Sequence, residues 1–285
     1  MASLREIKDR IGSVRNTLKI TSAMKLVASA KLHKAQAAIT DMLPYEEELR
    51  QILSLLPPMR LDTDGISEEG PARRAAIVAF ASNSSLCGAF NSNVLRETLV
   101  AIRDCRARGL EVDVYPVGRK IADALRREGY TCQEDYNSLV GTADYEASAG
   151  LARSLVDRFS RGELCEVLLV YNHFVNTSTQ KVLVEQYLPL EQCQPSPAAG
   201  EDCGYILEPD AQAIVDSLGP QVLNLKIHTV ILDSLAAEHS ARVVAMQTAS
   251  DNAEDLLSEL TLEYNKGRQQ KITSEILDLL GGAAG

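Results

Sequence analysis

The chain has 285 residues, 45% of them hydrophobic and 24% charged, which is enough apolar material for one large domain or two small ones. Its formal net charge of −10 argues against a nucleic-acid binder, because phosphate contacts need a basic surface. No apolar run approaches the roughly 18 residues of a membrane span, and the early acidic residues Glu6 and Asp9 do not fit a signal peptide.

The first predicted element is a long N-terminal helix. Ser3 followed by Glu6 is the pattern of a capping box, which predicts the start of the helix. No Gly or Pro occurs between residues 13 and 43, and Pro57-Pro58 predict its end. Residues 1–60 are therefore predicted to form one coiled-coil helix. Its seam repeats at steps of four, three and four and comprises Ile7, Ile11, Val14 and Leu18.

The middle of the chain, residues 72–207, alternates strand and helix patterns. Strands are predicted at residues 75–81, 111–117, 167–171 and 182–188. Helices are predicted at residues 93–107, 119–128 and 145–159. Such alternation predicts an α/β domain with a mainly parallel, helix-covered sheet of the Rossmann-like kind.

The C-terminal segment, residues 208–285, predicts a second long helix. Residues 221–266 contain no Gly or Pro, and 46 helical residues measure roughly 70 Å at 1.5 Å per residue. The polar residues Thr248 and Asn252 are expected to interrupt its seam and fix the register. The predicted apolar stripe comprises Val222, Leu225, Val230, Leu256, Leu260, Ile272, Ile276 and Leu279.

Charge also predicts that the two ends of the chain pair. The first 40 residues carry eight basic and two acidic side chains, whereas residues 238–285 carry four basic and eight acidic ones. The predicted fold class is α/β, with a long antiparallel coiled coil of the N- and C-terminal helices and an inserted Rossmann-like α/β domain.

The chemistry of an active site is hard to find in this sequence. Residues 82–91 follow the first strand, where α/β proteins bind ligands, but they lack a glycine-rich phosphate motif. Cys87 has no recognisable base signature near it, and the four histidines show no metal-ligand spacing. Six cysteines without C-x-x-C predict reduced thiols, although Cys193 and Cys203 could geometrically close a disulfide. No cofactor and no metal are predicted.

Several motifs resemble the gamma subunit of F-type ATP synthases. Residues 20–32 (ITSAMKLVASAKL) are similar to the N-terminal helix signature of that family, and residues 86–91 (LCGAFN) to a segment of its central domain. The longest match is C-terminal, at residues 251–253 (DNA), 260–265 (LTLEYN) and 272–276 (ITSEI). The resemblance covers the whole chain in order.

The resemblance implies a rotor without an active site of its own. In that family the terminal helices enter a ring of alpha and beta subunits, and the central domain contacts the epsilon subunit and the membrane ring of c subunits. Rotation then drives the catalytic beta subunits through their conformations. Because no transit-peptide pattern is present, the expected location is the cytoplasmic side of a bacterial plasma membrane, as a peripheral subunit.

The resemblance also implies which residues contact the ring. These are Met24 and Lys25 on the first helix, Cys87 in the central domain, and Arg268, Gln269 and Thr273 on the last helix. Ile276, Leu279 and Leu280 are expected to form an apolar bearing tip, because no charged side chain follows Asp278.

The sequence departs from the family at Asn83-Ser84-Ser85, where Asp-Arg-Gly is usual. The arginine that meets acidic partner segments is therefore missing from its usual place, and Gly267 predicts a weak point in the last helix. Two readings from other classes stay open: a scaffold whose coiled coil joins partners, and an enzyme that uses the loop around Cys87.

Overall fold

Two long helices, four shorter helices and a four-stranded sheet make up the described part of the chain. A computed structural model describes residues 3–56, 73–133, 136–142, 144–189, 208 and 210–282. Pro57-Pro58 and the loop with Cys193 and Cys203 lie outside these residues. The elements in chain order are α1 (Leu4–Leu55), β1 (Arg74–Phe80), α2 (Phe90–Ala107), β2 (Glu111–Val117), α3 (Arg119–Arg127), α4 (Leu139–Thr142), α5 (Tyr145–Ser160), β3 (Glu166–Asn176), β4 (Thr179–Leu188) and α6 (Ala211–Gly282).

The described chain divides into two compact units. The helix-pair unit comprises Met1–Ser29 and Arg242–Gly285, and the α/β unit comprises Ala30–Ala241. The unit boundaries fall within α1 and within α6, so each long helix contributes residues to both units.

The helix-pair unit begins with the predicted capping box. The Ser3 N–H donates to Glu6 Oε2 at 2.8 Å, and the Glu6 N–H donates to Ser3 Oγ at 3.2 Å. These two bonds satisfy backbone donors that the first turn of a helix otherwise leaves without partners. The capping box is confirmed.

Two contacts show that the helices of this unit run antiparallel. The hydroxyls of Thr21 and Ser250 are 2.8 Å apart, and Leu4 packs over Gly267. From Thr21 back to Leu4 is 17 residues, and from Ser250 forward to Gly267 is also 17. Equal and opposite steps define one constant register along the pair.

The seam of α6 in this unit differs from the sequence prediction. Thr248 and Asn252 are exposed, as are Leu256, Ile272 and Ile276, so they do not close the seam. The polar pair in the seam is Thr21 with Ser250. On α6 the buried residues are Arg242, Met246, Ser250, Ala253 and Leu260, at steps of four, four, three and seven. Small seam residues let the helices approach closely, and hydropathy alone does not reveal them.

Gly267 also differs from its expected role. A Cβ at this position would lie 3.0 Å from Leu4 Cδ2, so the glycine provides space for a side chain of the partner helix. The helix continues through it, as α1 continues through Pro44 and α6 through Pro220.

The sheet of the α/β unit has the strand order β2-β1-β3-β4. β1 pairs in parallel with both β2 and β3, whereas β4 pairs antiparallel with β3 at the edge. β1 is a continuous apolar run because both of its faces are covered, as is usual for a central parallel strand.

Helices cover both faces of this sheet. Alternate β1 residues point to opposite sides, with Ala76, Val78 and Phe80 on one and Ala75, Ile77 and Ala79 on the other. The first set packs against α4, α5 and the part of α6 that lies in this unit. The second set packs against α2 and α3. The result is a three-layered domain.

The β3–β4 hairpin is longer than the rest of the sheet. β1 pairs with β3 only as far as residue 170, and beyond it β3 pairs with β4 alone. This two-stranded part, residues 172–182, is called the hairpin extension below. The side chain of Asn176 shapes its turn, because Oδ1 accepts the N–H groups of Ser178 at 3.0 Å and Thr179 at 2.8 Å.

The predicted fold class is confirmed: long antiparallel terminal helices accompany a mainly parallel, helix-covered α/β sheet. Among the described helices, none combines the length and the hydropathy that a membrane crossing requires.

Candidate partner-contact surfaces

The loop between β1 and α2 is held by its own polar side chains. The Ser82 N–H donates to Asn91 Oδ1 at 3.0 Å, and Ser82 Oγ is 3.0 Å from the same oxygen. The other end of the amide, Asn91 Nδ2, donates to Cys87 Sγ at 3.2 Å. These contacts hold together the loop that follows β1, at the end of the strand where α/β proteins often bind ligands.

Cys87 lies inside this loop and is only 1% exposed. It packs against Phe90 and Ala237 within the α/β unit. Ser82 and Asn91 contact its sulfur, and neither side chain can act as the base that a cysteine nucleophile needs. The outer surface of the predicted ring-contact segment is therefore formed by neighbours of Cys87.

Leu86 is the most prominent of these neighbours. Its side chain is 58% exposed and its backbone φ is +69°, in the left-handed region that favours glycine. A branched apolar residue in this conformation is held there against its own backbone preference. Leu86, and not Cys87, is therefore the side chain that this segment presents at the surface.

Asn83 ties the loop to two other segments of the α/β unit. Its Oδ1 accepts the backbone N–H of Arg119 at 2.9 Å, and its Nδ2 donates to the carbonyl of Asn137 at 2.8 Å. The guanidinium of Arg119 donates to the carbonyl of Asn83 at 3.1 Å. An aspartate at this position could accept from Arg119 but could not donate to Asn137. Asn83, which begins the departure from the family, thus has a defined structural role.

The predicted ring-contact residues of the helix-pair unit lie at two separate levels. Met24 and Lys25 are half-buried on α1, whereas Arg268, Gln269 and Thr273 are exposed on α6. The antiparallel register places Met24 opposite residue 247, which is about 30 Å along the helix from Arg268. Thr273 and Gln269 share a face, and Thr273 Oγ1 donates to the Gln269 carbonyl at 2.9 Å. The structure therefore brings Gln269 and Thr273 together and keeps Met24 and Lys25 apart from them.

The helix-pair unit also exposes apolar side chains away from its seam. Leu26 on α1 and Leu262 on α6 are each 69% exposed, and Ile276 of the expected bearing tip is 51% exposed. The side chains of Leu279 and Leu280 lie outside the described residues. Sequence analysis missed the exposed positions Ile20, Leu26, Val27 and Leu262. These positions could have been found in the sequence, because their apolar residues do not follow the spacing of the buried seam.

The other three described thiols of the α/β unit have the properties of structural residues. Burial raises the pKa values of Cys105, Cys132 and Cys165, which keeps these thiols protonated and weakly nucleophilic. Among the described residues, no group of three or more His, Cys, Asp and Glu side chains could hold a metal ion.

His228 is a buried histidine of the α/β unit. Burial lowers its pKa, so the neutral ring is favoured in the folded chain. The Ser148 hydroxyl donates to the Tyr145 carbonyl at 2.7 Å and lies 3.0 Å from His228 Nδ1. Since one hydroxyl has one hydrogen, Nδ1–H must be the donor to Ser148 Oγ, which fixes the tautomer.

Comparison with known proteins places this architecture in a family. The ATP synthase family model matches residues 3–285. The ATP synthase gamma chain of Phocaeicola vulgatus is 48% identical over 290 aligned residues and that of Bacteroides fragilis 47% over 288; each match covers 99% of both proteins. The chain therefore belongs to the ATP synthase gamma chain family.

Solved structures share the fold. A chain in the rotor of the Euglena gracilis mitochondrial ATP synthase, in rotational state 1, superposes with a TM-score of 0.65 at 16% identity. That match covers 94% of this chain and 98% of the other. A second Euglena gracilis structure, in rotational state 3, gives a TM-score of 0.69 at 17% identity and covers 99% and 93% of the two chains.

Proposed function

We propose that this chain is the central rotor subunit of an F-type ATP synthase, coupling ion flow through a membrane ring to conformational change at catalytic beta subunits. The helix-pair unit carries this proposal. Its seam is closed mostly by small and apolar residues, yet large apolar side chains such as Leu26 and Leu262 are exposed. A helix pair that has already satisfied its own seam and still exposes leucines is suited to lie inside a partner. Membership of the gamma chain family supports the same role.

The partners follow from this role. We assign the helix-pair unit to contacts with the alpha and beta subunits, and the α/β unit to contacts with the epsilon subunit and the ring of c subunits. No nucleic acid is a partner. The complex would hold this chain as a peripheral subunit on the cytoplasmic side of a bacterial plasma membrane. In the domain division we propose, residues 1–60 and 208–285 form the shaft and residues 72–207 the coupling domain.

Within this proposal the chain has no active site of its own. The buried position of Cys87 and the raised pKa values of Cys105, Cys132 and Cys165 support this assignment. Equilibrium binding of ATP to the isolated chain is the test. We expect no saturable binding, and tight, specific binding would favour the enzyme reading.

Assembly tests the rotor itself. The chain is co-expressed with candidate alpha and beta subunits, and the mass of the purified complex is measured. We expect three alpha, three beta and one copy of this chain. Any other stoichiometry, or a free alpha–beta ring beside an unbound chain, would contradict the proposal.

A second assembly experiment addresses the exposed apolar surface. Leu26→Ser and Leu262→Ser remove outward apolar contacts without entering the seam, so the isolated chain should unfold at the same denaturant concentration as the wild type. We expect the double variant to bind the ring more weakly. Asp251→Asn, an exposed change on the same helix pair, is the matched control. Equal binding by all three proteins would show that this surface does not contact the ring.

A further inference from the structure

The hairpin extension makes polar contacts with two turns of α6 inside the α/β unit. The Phe174 N–H donates to Asp233 Oδ1 at 2.8 Å, and His173 Nδ1 lies 2.7 Å from Asp233 Oδ2. One carboxylate on α6 therefore binds two successive residues of β3. Asp233 is only 15% exposed, so these bonds are partly shielded from competing water.

A second polar contact lies near the turn of the hairpin extension. Ser240 is fully buried, and its hydroxyl donates to the carbonyl of Thr177 at 2.7 Å. The same hydroxyl oxygen accepts from Gln180 Nε2 at 3.2 Å. Ser240 and Asp233 are seven residues apart, which is two helical turns, so both project from the same face of α6.

Apolar residues fill the space between these two contacts. Phe174 packs against the clusters that contain Ala236 and Ala237, both fully buried alanines of α6. Small residues allow the strand to approach the helix closely, but contacts between apolar surfaces are not directional. They would permit the helix to slide or turn against the strand.

The two polar contacts oppose such movement because they are directional and involve backbone atoms. Turning α6 by one residue, about 100°, would move the Asp233 carboxylate away from the Phe174 N–H. The same turn would separate Ser240 from the Thr177 carbonyl and leave the buried Ser240 hydroxyl without that acceptor, which is costly. The hairpin extension is thus registered on α6 in both translation and rotation.

Other contacts hold the beginning of α6 independently. Lys226 Nζ lies 2.7 Å from Glu185 Oε1, and the Tyr187 hydroxyl donates to the Leu223 carbonyl at 3.1 Å. The sheet therefore stays attached to α6 when the contacts at Asp233 and Ser240 are removed. This separation allows the two contacts to be tested without unfolding the domain.

We propose that Asp233 and Ser240 are the positioning residues of a torque clamp, through which the α/β unit transmits rotation to α6. The clamp rests on the rotor function proposed above and adds the residues that keep the helix from turning within its own domain. Without it, α6 beyond the contacts at Leu223 and Lys226 would twist more readily against the hairpin extension, and part of the rotation of the α/β unit would be absorbed there.

The test uses the complete complex reconstituted in lipid vesicles. Asp233→Ala/Ser240→Ala removes both clamp contacts, and Asp216→Ala/Ser217→Ala makes the same two changes at exposed positions of the same helix. ATP hydrolysis and the ion gradient that it generates are measured together. We expect the clamp variant to hydrolyse ATP at about the control rate when no gradient opposes rotation, but to pump ions against a gradient at about half the control rate or less. The single variant Asp233→Asn, in which Ser240 is unchanged, keeps an acceptor for the Phe174 N–H. It should retain most of the ion transport that the double clamp variant loses.

Hydrogen exchange in the isolated chain gives an independent measurement. The Phe174 amide should exchange at least about tenfold faster in Asp233→Ala than in Asp216→Ala. If the double clamp variant fails to assemble, Ser240→Ala alone is compared with Ser217→Ala by the same transport criterion. A pumping rate against the gradient equal to that of the control would overturn the clamp. Failure of the wild-type chain to assemble would instead overturn the rotor function.

Discussion

Gly118 occupies the tightest backbone contact in the α/β unit. Its φ is +117°, and a Cβ built on it would lie 2.2 Å from the carbonyl oxygen of Ala81. That oxygen belongs to the backbone at the end of β1, so it cannot move aside without distorting the sheet. We expect Gly118→Ala to lower the free energy of unfolding by about 3 kcal/mol or more, measured by urea denaturation of the isolated chain.

Gly129 supplies the matched control for this substitution. It also has a positive φ, +84°, but nothing lies within 4 Å of its virtual Cβ. Gly129→Ala should therefore lower the free energy of unfolding by only about 1 kcal/mol, because it adds backbone strain without a steric clash. Similar losses for both variants would show that the contact with Ala81 does not constrain the fold.

His228 predicts a pH-dependent stability. Burial lowers its pKa in the folded state, so the unfolded chain binds the proton more tightly. Its contribution is therefore fully present above the ordinary pKa of about 6.5 and is lost as the pH falls below that value. The Asp144 carboxylate raises the pKa of His228 and so offsets part of the lowering that burial causes. We expect the unfolding free energy to fall between about pH 8 and pH 5.5, and to fall less in His228→Gln, since glutamine does not titrate. Parallel pH profiles for the two proteins would contradict this prediction.

At the residue scale, the sequence identified the segments that matter but not which of their side chains are exposed. The motif around Cys87 was recognisable, but the thiol is buried and Leu86 is the exposed member. The conformation of Leu86 depends on bonds among Ser82, Asn91 and Cys87, which no pattern of residue types reveals. Asn83 was noticed as a departure from the family, whereas its bonds to Arg119 and Asn137 depend on the tertiary fold.

At the element scale, agreement was closest where burial dictates the pattern. β2 was predicted at residues 111–117 and is found at Glu111–Val117. β3 was predicted only to residue 171 but continues to Asn176, because its polar end is stabilised by α6 and not by its own hydropathy. α6 begins at Ala211 and passes Pro220, where tertiary packing outweighs a local helix breaker. The seam of α6 was misread for the same reason, since Ser250 and Ala253 are buried and Leu256 is not.

The Thr21–Ser250 pair makes a prediction about the helix-pair unit. Thr21 Oγ1 donates to the Leu18 carbonyl at 3.1 Å, so its single hydrogen is used and Ser250 must donate across the seam. Thr21→Val leaves the buried Ser250 hydroxyl without that acceptor and should destabilise the unit by about 1–2 kcal/mol. The double variant Thr21→Val/Ser250→Ala should recover part of the loss, because no polar group is then stranded.

This pair is measured by a double-mutant cycle of urea denaturation, followed by circular dichroism. Thr17→Val serves as the control. Thr17 is exposed on the same helix, and its hydroxyl donates to the Ser13 carbonyl of that helix and not across the seam. Additive effects of the two seam changes would mean that the hydroxyls do not interact. Coupling would identify this pair as the polar contact that fixes the register.

The two units of the whole molecule are stabilised to different extents. In the α/β unit, β1 and β3 are covered on both faces by helices. In the helix-pair unit, each helix buries one narrow seam, and the rest of its surface faces outward. Local opening requires less free energy where fewer apolar groups must be exposed. The helix-pair unit should therefore open more readily than the sheet.

Hydrogen exchange of the isolated chain should show this difference directly. We expect amides of residues 4–29 and 242–277 to exchange at least about tenfold faster than those of β1 and of β3 residues 167–170. Assembly with the alpha and beta subunits should slow exchange mainly in the helix-pair unit, because partners would cover its outward leucines. If exchange slows only in the α/β unit, the ring contacts that unit and not the helix-pair unit, which would contradict the prediction. A difference that vanishes on assembly would indicate that the shaft gains its rigidity from the ring, so that the isolated helix pair need not be stiff on its own.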